Sequence, residues 1–209
     1  MFSLQTIFGK GDRFYGLLEA SADAARQSTR ALIVMLNAPV SARSLDEFRV
    51  ARRREKELLA QINKELVDTF VTALEREDIE ALAAALYKIP KTVEKFAERY
   101  VMFTDRLAEV DYASRAVMLE KAADVIVQMT SQLRRGFQLD VMHDLNERMQ
   151  SIESEADRLI LDLYRDLFDN ERDPANLLLR KDLFELLEKA IDRCRDAGNV
   201  IYQIVLKNS

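Results

Sequence analysis

Apolar residues recur every three to four positions along almost the whole chain, the spacing that gathers them on one helix face. The first stripe is Phe14, Leu17, Leu18, Ser21, Ala25, Ser28, Leu32 and Met35, predicting a helix over residues 13–37 that Pro39 ends. Ser44 with Glu47 three positions on predicts a capping box opening a second helix. Its stripe is Phe48, Ala51, Leu58, Ile62, Leu66 and Phe70. A third helix is expected from Asp78 as N-cap, carrying Ile79, Leu82, Leu86, Ile89, Val93, Phe96 and Tyr100. Pro90 inside that stripe predicts a kink or a local break.

A boundary at Thr104 or Asp105 leads into a fourth helix with Leu107, Ala116, Leu119, Ala123, Ile126, Met129 and Leu133, ending at Gly136. The fifth starts near Asp140 and uses Leu145, Met149, Ile152, Ala156, Ile160, Leu163 and Leu167. Residues 169–179, with Asp173-Pro174 suited to a turn, read as a loop. The sixth carries Leu183, Leu187, Ile191, Cys194, Gly198, Ile201 and Val205. The expected fold class is all-α: six long helices as two tandem three-helix bundles. One domain over 1–209 is expected, with pseudo-repeat halves 1–104 and 105–209.

Composition sharpens this picture mainly by exclusion. Only 5 glycines and 3 prolines among 209 residues leave too few turn-formers for an all-β fold. A single cysteine, Cys194, excludes an internal disulfide framework, and a single histidine, His143, excludes His-rich zinc centres. Glu77 and Glu80 invite comparison with all-α nucleotide pyrophosphohydrolases, but the second motif those enzymes need is missing downstream. Net charge is −5, divided as +1 over residues 1–104 and −6 over 105–209, so nucleic acid is not an expected partner. The longest apolar run, ALAAALY at 81–87, is too short to span a bilayer, and residues 1–14 lack the marks of a secretory leader. The expected location is cytoplasmic. Cys194, on an apolar stripe, reads as a small core hydrophobe. Met102, Met118, Met129, Met142 and Met149 read as core or helix-interface residues, and His143 as a surface or capping residue.

The acidity of the second half has a pattern. Glu153 and Asp157, and Glu188 and Asp192, are acids four apart, which share a helix face. Counting 100° per residue from Ala156, Glu153 and Asp157 fall at about 60° and about 100°, flanking the buried stripe. Glu188 and Asp192, counted from Leu187, lie at the edge and toward solvent. Like charges at this spacing repel, and a divalent cation would relieve them. A solvated acidic face is the plainer reading of the same residues.

Residues 152–168 (IESEADRLILDLYRDLF) and 181–209 (KDLFELLEKAIDRCRDAGNVIYQIVLKNS) resemble helices of PhoU-like proteins, more narrowly the PhoU-like accessory proteins associated with Pit-type inorganic phosphate transporters. Residues 68–86 and 14–32 resemble the same family, so the resemblance covers nearly the whole chain. It implies two three-helix bundles bearing acidic motifs that hold a metal cluster at the surface. Carried over, Glu153, Asp157, Glu188 and Asp192 are the metal ligands, with Asp196 and Asn199 as lesser candidates. The metal is a divalent or transition ion such as iron, zinc, nickel or magnesium. The first half departs from the motif: the expected acids fall on Arg52, Lys56, Tyr87 and Lys91. Arg52, Arg53, Lys56 and Lys91 there form a candidate anion or partner site; the plainer readings are ordinary ion pairs between facing helices and, for the basic run Arg49, Arg52, Arg53, Arg54 and Lys56, a solvated helix face interleaved with Glu47, Glu55 and Glu57.

No residue set supports a nucleophile, a general base or an oxyanion hole. The expectation is a non-enzymatic regulatory or accessory protein of phosphate transport. Its partner would be a Pit-type transporter or its associated regulator, with peripheral membrane association and a homo-oligomer both open. The alternatives are a metal-dependent phosphohydrolase using the C-terminal carboxylates, and a helical scaffold that binds no metal.

Overall fold

A computed structural model describes the backbone of residues 4–107 and 110–209 and the side chains from residue 13 onward. The expectation that residues 1–14 carry no marks of a secretory leader falls largely on side chains, those of residues 1–12, that lie outside the described residues. Six α-helices and no strand occur among the described residues: α1 (Leu4–Asn37), α2 (Asp46–Asp68), α3 (Arg76–Met102), α4 (Tyr112–Arg135), α5 (Leu139–Asn170) and α6 (Pro174–Asn208). The all-α expectation holds. α1, α2 and α3 pack on one another, as do α5 and α4 against α6, while α1 lies along α4 and α3 along α6. Apolar stripes from all six helices meet in one continuous core.

Helix ends differ from the sequence reading wherever a local hydrogen bond competes with the apolar period. α1 begins well before residue 13. Ser44 is not the cap of α2; that place is held by Leu45, and the Ser44 hydroxyl accepts from the Asp46 N–H at 3.1 Å. α3 starts at Arg76, so Asp78 lies in its first turn, where its carboxylate accepts from Lys207 Nζ of α6 at 2.7 Å. Pro90 does not break α3, which runs on through Met102 with Pro90 buried. The start expected at 104–105 is a single 3-10 turn (Thr104–Arg106), and α4 opens later, where Asp111 caps the Ser114 N–H. Gly136, at φ +105, ends α4 in a conformation only glycine adopts without strain. The loop expected over 169–179 is only three residues long. Asp173 accepts from the Ala175 N–H and Pro174 occupies the first turn, which starts α6 at once.

Two stripe residues are corrected. Phe70 lies past the end of α2 and is 96% exposed, with Val67 and Val71 also exposed beside it. Met102 is the last residue of α3 and is exposed, whereas Met118, Met129, Met142 and Met149 are buried as expected. Cys194 is buried, and His143 is exposed, with its Nδ1 3.3 Å from the Tyr202 hydroxyl.

The halves are joined by more than apolar contact. Arg30 of α1 meets Glu120 and Asp124 of α4 at 3.0 and 3.4 Å, and Arg99 of α3 meets Asp182 of α6 at 3.0 Å. These exposed pairs contribute at most about 1 kcal/mol each, so the core decides the packing. Phe96, Tyr100, Tyr112 and Phe184 of this core, with the half-buried Tyr164 against them, form an aromatic cluster drawn from α3, α4, α5 and α6.

Candidate functional site: two charged seams of opposite sign

The α5–α6 seam brings together the four acids read from the sequence. The neighbouring carboxylates Glu153 and Asp192 reinforce burial in holding the Asp157 carboxyl above its ordinary range. Glu188 is raised in the same way, first by burial and then by Asp192, Asp157 and Glu185. The repulsion expected from the spacing is therefore present across the two helices as well as along them.

What the sequence reading missed is the cation already among these acids. Arg195 of α6 donates to Glu153 across the seam and lies 3.2 Å from Asp192 and 3.8 Å from Asp196. Arg193 holds the other oxygen of Asp196 at 2.9 Å. As the side chains stand, no three acids converge on a metal-binding position among the described residues; the guanidinium bridges Glu153 and Asp192 instead. The signal was available, because Arg195 lies three residues after Asp192 and so on the same side of the helix.

The α2–α3 seam has the opposite chemistry at the matching positions. Arg52 is turned inward and only 7% exposed, which corrects its reading as part of a solvated basic face. Its Nε donates to Glu94 at 3.1 Å and its Nη2 to the Tyr87 hydroxyl at 3.0 Å. The same guanidinium is 4.5 Å from the Tyr87 ring centroid, and Lys91 Nζ is 6.0 Å from it. The Arg52 hydrogen bond holds the Tyr87 phenol below its ordinary pKa, and the charges of Arg52, Lys91 and Lys56 act in the same sense. Arg52, Lys56 and Lys91 thus gather around one ring, as the resemblance aligned them. Arg53 is exposed on α2.

Glu55 is the second residue that the sequence reading passed over. It lies inside the basic run, yet its side chain is buried at 1% exposure. The Ser21 hydroxyl donates to Oε1, while Oε2 is buried without a partner. Burial pushes its pKa up to about 7 against the opposing pull of the Ser21 hydrogen bond, Arg52 and Arg54.

No protein-family model matches the chain. The chain is 26% identical over 146 residues to the UPF0111 protein YkaA of Bacillus subtilis (strain 168), covering 70% of this chain and 71% of that protein. It is 20% identical over 201 residues to a protein of Rhizobium meliloti (strain 1021) named as a candidate Pit accessory protein, covering 94% of each. Its fold matches the crystal structure of a PhoU-like protein from Shewanella oneidensis MR-1, with TM-score 0.79, 16% identity, and coverage of 93% of this chain and 99% of that one. A candidate PhoU-like phosphate regulatory protein from the same organism superposes with TM-score 0.75 at 17% identity and the same coverage. The six helices have the PhoU-like fold.

Proposed function

We propose that this chain, a PhoU-like fold similar along nearly its whole length to a candidate Pit accessory protein, is a non-enzymatic accessory of inorganic phosphate transport. It acts by docking on a Pit-type transporter or a regulator associated with it. The observation that carries this reading is the correspondence over both halves, combined with chemistry displayed on outer helix faces. The exposed end of α2 and the turn after it, with Val67 on the helix and Phe70 and Val71 beyond it, offer an apolar contact at one end of the first bundle. This apolar tip is the anchor for the partner, since exposed aromatics recur as interface hot spots.

The test is co-expression with the Pit-type transporter of the same organism. The tagged chain is expected to co-purify with the transporter, and Val67→Ser/Phe70→Ser, which touches no buried contact, is expected to weaken capture at least tenfold. Deleting the chain is expected to change phosphate uptake by cells. Absence of capture together with unchanged uptake would overturn the reading.

A divalent metal at Glu153, Asp157, Glu188 and Asp192 belongs to this proposal as an exchange with Arg195. Burial first, and after it the neighbouring carboxylates, raises Asp157 and Glu188; the second cause supports the exchange, because it is a mutual repulsion of acids that a cation would relieve. Removing Arg195 would then free Glu153 and Asp192 for a hard or borderline cation. Titration with Mg²⁺, Zn²⁺ or Fe²⁺ is expected to show at least tenfold tighter binding in Arg195→Gln than in the unaltered chain. Asp157→Asn/Asp192→Asn is expected to abolish binding in either background. Equal affinity with and without Arg195 would sink the exchange.

A further inference from the structure

Along the line where α3 meets α6 lies a cleft of about 260 Å³ lined by Lys88, Lys91, Lys95, Lys189 and Arg193 over a floor of Thr92 and Leu186. None of these lining residues is acidic, in a chain whose net charge is −5. We propose that this cleft is a binding site for a linear oligophosphate, an anion with two or more phosphoryl groups in a row. The proposal does not depend on the transporter partnership.

Three features point to such a ligand. The first is the lack of internal neutralisation. No ion pair engages Lys88, Lys91, Lys95 or Lys189 among the described residues. Glu185, four residues before Lys189 and so its natural helical partner, is held by Lys181 instead. Arg193 alone of the five is paired, to Asp196 at 2.9 Å. The second feature is that the repulsion is built twice. Lys91 and Lys95 on α3, and Lys189 and Arg193 on α6, are like charges four apart on their own helices, and the two rows then face each other across the cleft. A packing contact alone would favour an acid on one side, as at Arg99–Asp182 between the same two helices. An anion between the rows satisfies both.

The third feature is shape. Lys88 to Lys95 spans seven residues, about 10 Å along the helix axis, longer than one phosphate and suited to a chain of them. Lysine heads are point charges on flexible stems, which suits a string of oxygens better than one planar carboxylate. The lining contains no aromatic ring on which a base could stack. The chain of phosphates is therefore the recognised part, whether it comes free as an inorganic oligophosphate or as the tail of a nucleotide. Thr92 spends its hydroxyl hydrogen on the Lys88 carbonyl at 2.9 Å, so the floor adds no donor and recognition rests on the cations.

Calorimetric titration of the full chain, in EDTA to remove bridging metals, tests this with inorganic tripolyphosphate, orthophosphate and ATP. Tripolyphosphate is expected to bind at least tenfold tighter than orthophosphate, and its affinity to fall steeply with salt. Lys91→Gln/Lys189→Gln is expected to weaken tripolyphosphate at least tenfold. Arg53→Gln/Arg54→Gln, which removes two exposed cations outside the cleft, is expected to leave it within twofold. All four substituted side chains are exposed, and unchanged helical signal and thermal midpoint verify folding of each variant. ATP binding as tightly as tripolyphosphate would identify a nucleotide tail as the source, and much weaker ATP binding a free oligophosphate. The proposal is overturned if orthophosphate binds as well as tripolyphosphate, if the cleft and control variants lose affinity equally, or if millimolar tripolyphosphate does not bind.

Discussion

Glu55→Gln is expected to stabilise the chain by about 2–3 kcal/mol at pH 8 and by almost nothing at pH 4. The carboxyl is buried beneath α1, and its pKa rises from 4.5 to about 7, chiefly because burial disfavours the charged form. That difference corresponds to about 3 kcal/mol, and the side chain is too buried for solvent to screen it away. The folded state holds this proton more tightly than the unfolded chain does. Stability therefore falls as pH rises through the interval from 4.5 to about 7, and above it the full charging cost is present. Glutamine keeps an oxygen to accept from the Ser21 hydroxyl and never ionises. Urea unfolding of both proteins at pH 4, 6 and 8 checks this: the two stability curves should coincide at the acid end and part on the alkaline side. Parallel curves would mean that Glu55 is neutralised in the fold by its arginine neighbours.

Glu55 also shows what could have been read from the sequence. Phe48, Ala51, Glu55, Leu58 and Ile62 are spaced by three and four, so a strict period puts the carboxyl on the buried face. The surrounding Arg52, Arg53, Arg54 and Lys56 made the stretch look like solvent-facing charge. Arg52 was hidden in the same way, since four residues after Phe48 it too lies inward and needs Glu94 and Tyr87 to be tolerated there. The period was reliable for the buried stripes of all six helices because burial is what creates it. It failed at Phe70, where the helix has already ended at Asp68, and at 174–179, where one Asp-Pro cap outweighs a turn signal.

The four acids of the second half were legible because their spacing is local. Their relation to Arg195 needed only one more helical step. The lysine cleft was not legible at all. Its two rows lie almost a hundred residues apart, and nothing in either helix says that α3 will lie along α6. Lys91 was singled out as a partner of the α2 cations, and it does approach Tyr87 in that seam. Its position also makes it a wall of the cleft, so one residue joins the two basic features. α6 carries the complementary asymmetry, with Lys189 and Arg193 toward α3 and Glu188 and Asp192 toward α5.

Phe184→Ala is expected to cost about 3–5 kcal/mol, the range for deleting a buried aromatic and leaving its cavity. The ring is 1% exposed and sits 5.7 Å from Tyr112 and 5.6 Å from Tyr164, centroid to centroid. Tyr112 in turn touches Phe96 and Tyr100 of α3 at 5.6 Å each. Neighbouring rings cannot collapse into the space without giving up their edge-to-face contacts with the first half. Relaxation is thus limited, which places the loss toward the upper part of that range. A loss of this size is a large share of the 5–15 kcal/mol typical of a whole domain. It also distinguishes one cooperative unit from two bundles that merely touch. If the aromatic cluster welds the halves, amide exchange in α1 and α2 should speed up by the same free energy as exchange in α5, although neither α1 nor α2 contributes a ring to the cluster. Loss of protection confined to residues 105–209 would show that the second bundle opens alone, and that the α1–α4 and α3–α6 contacts are a docking surface between separately folding halves.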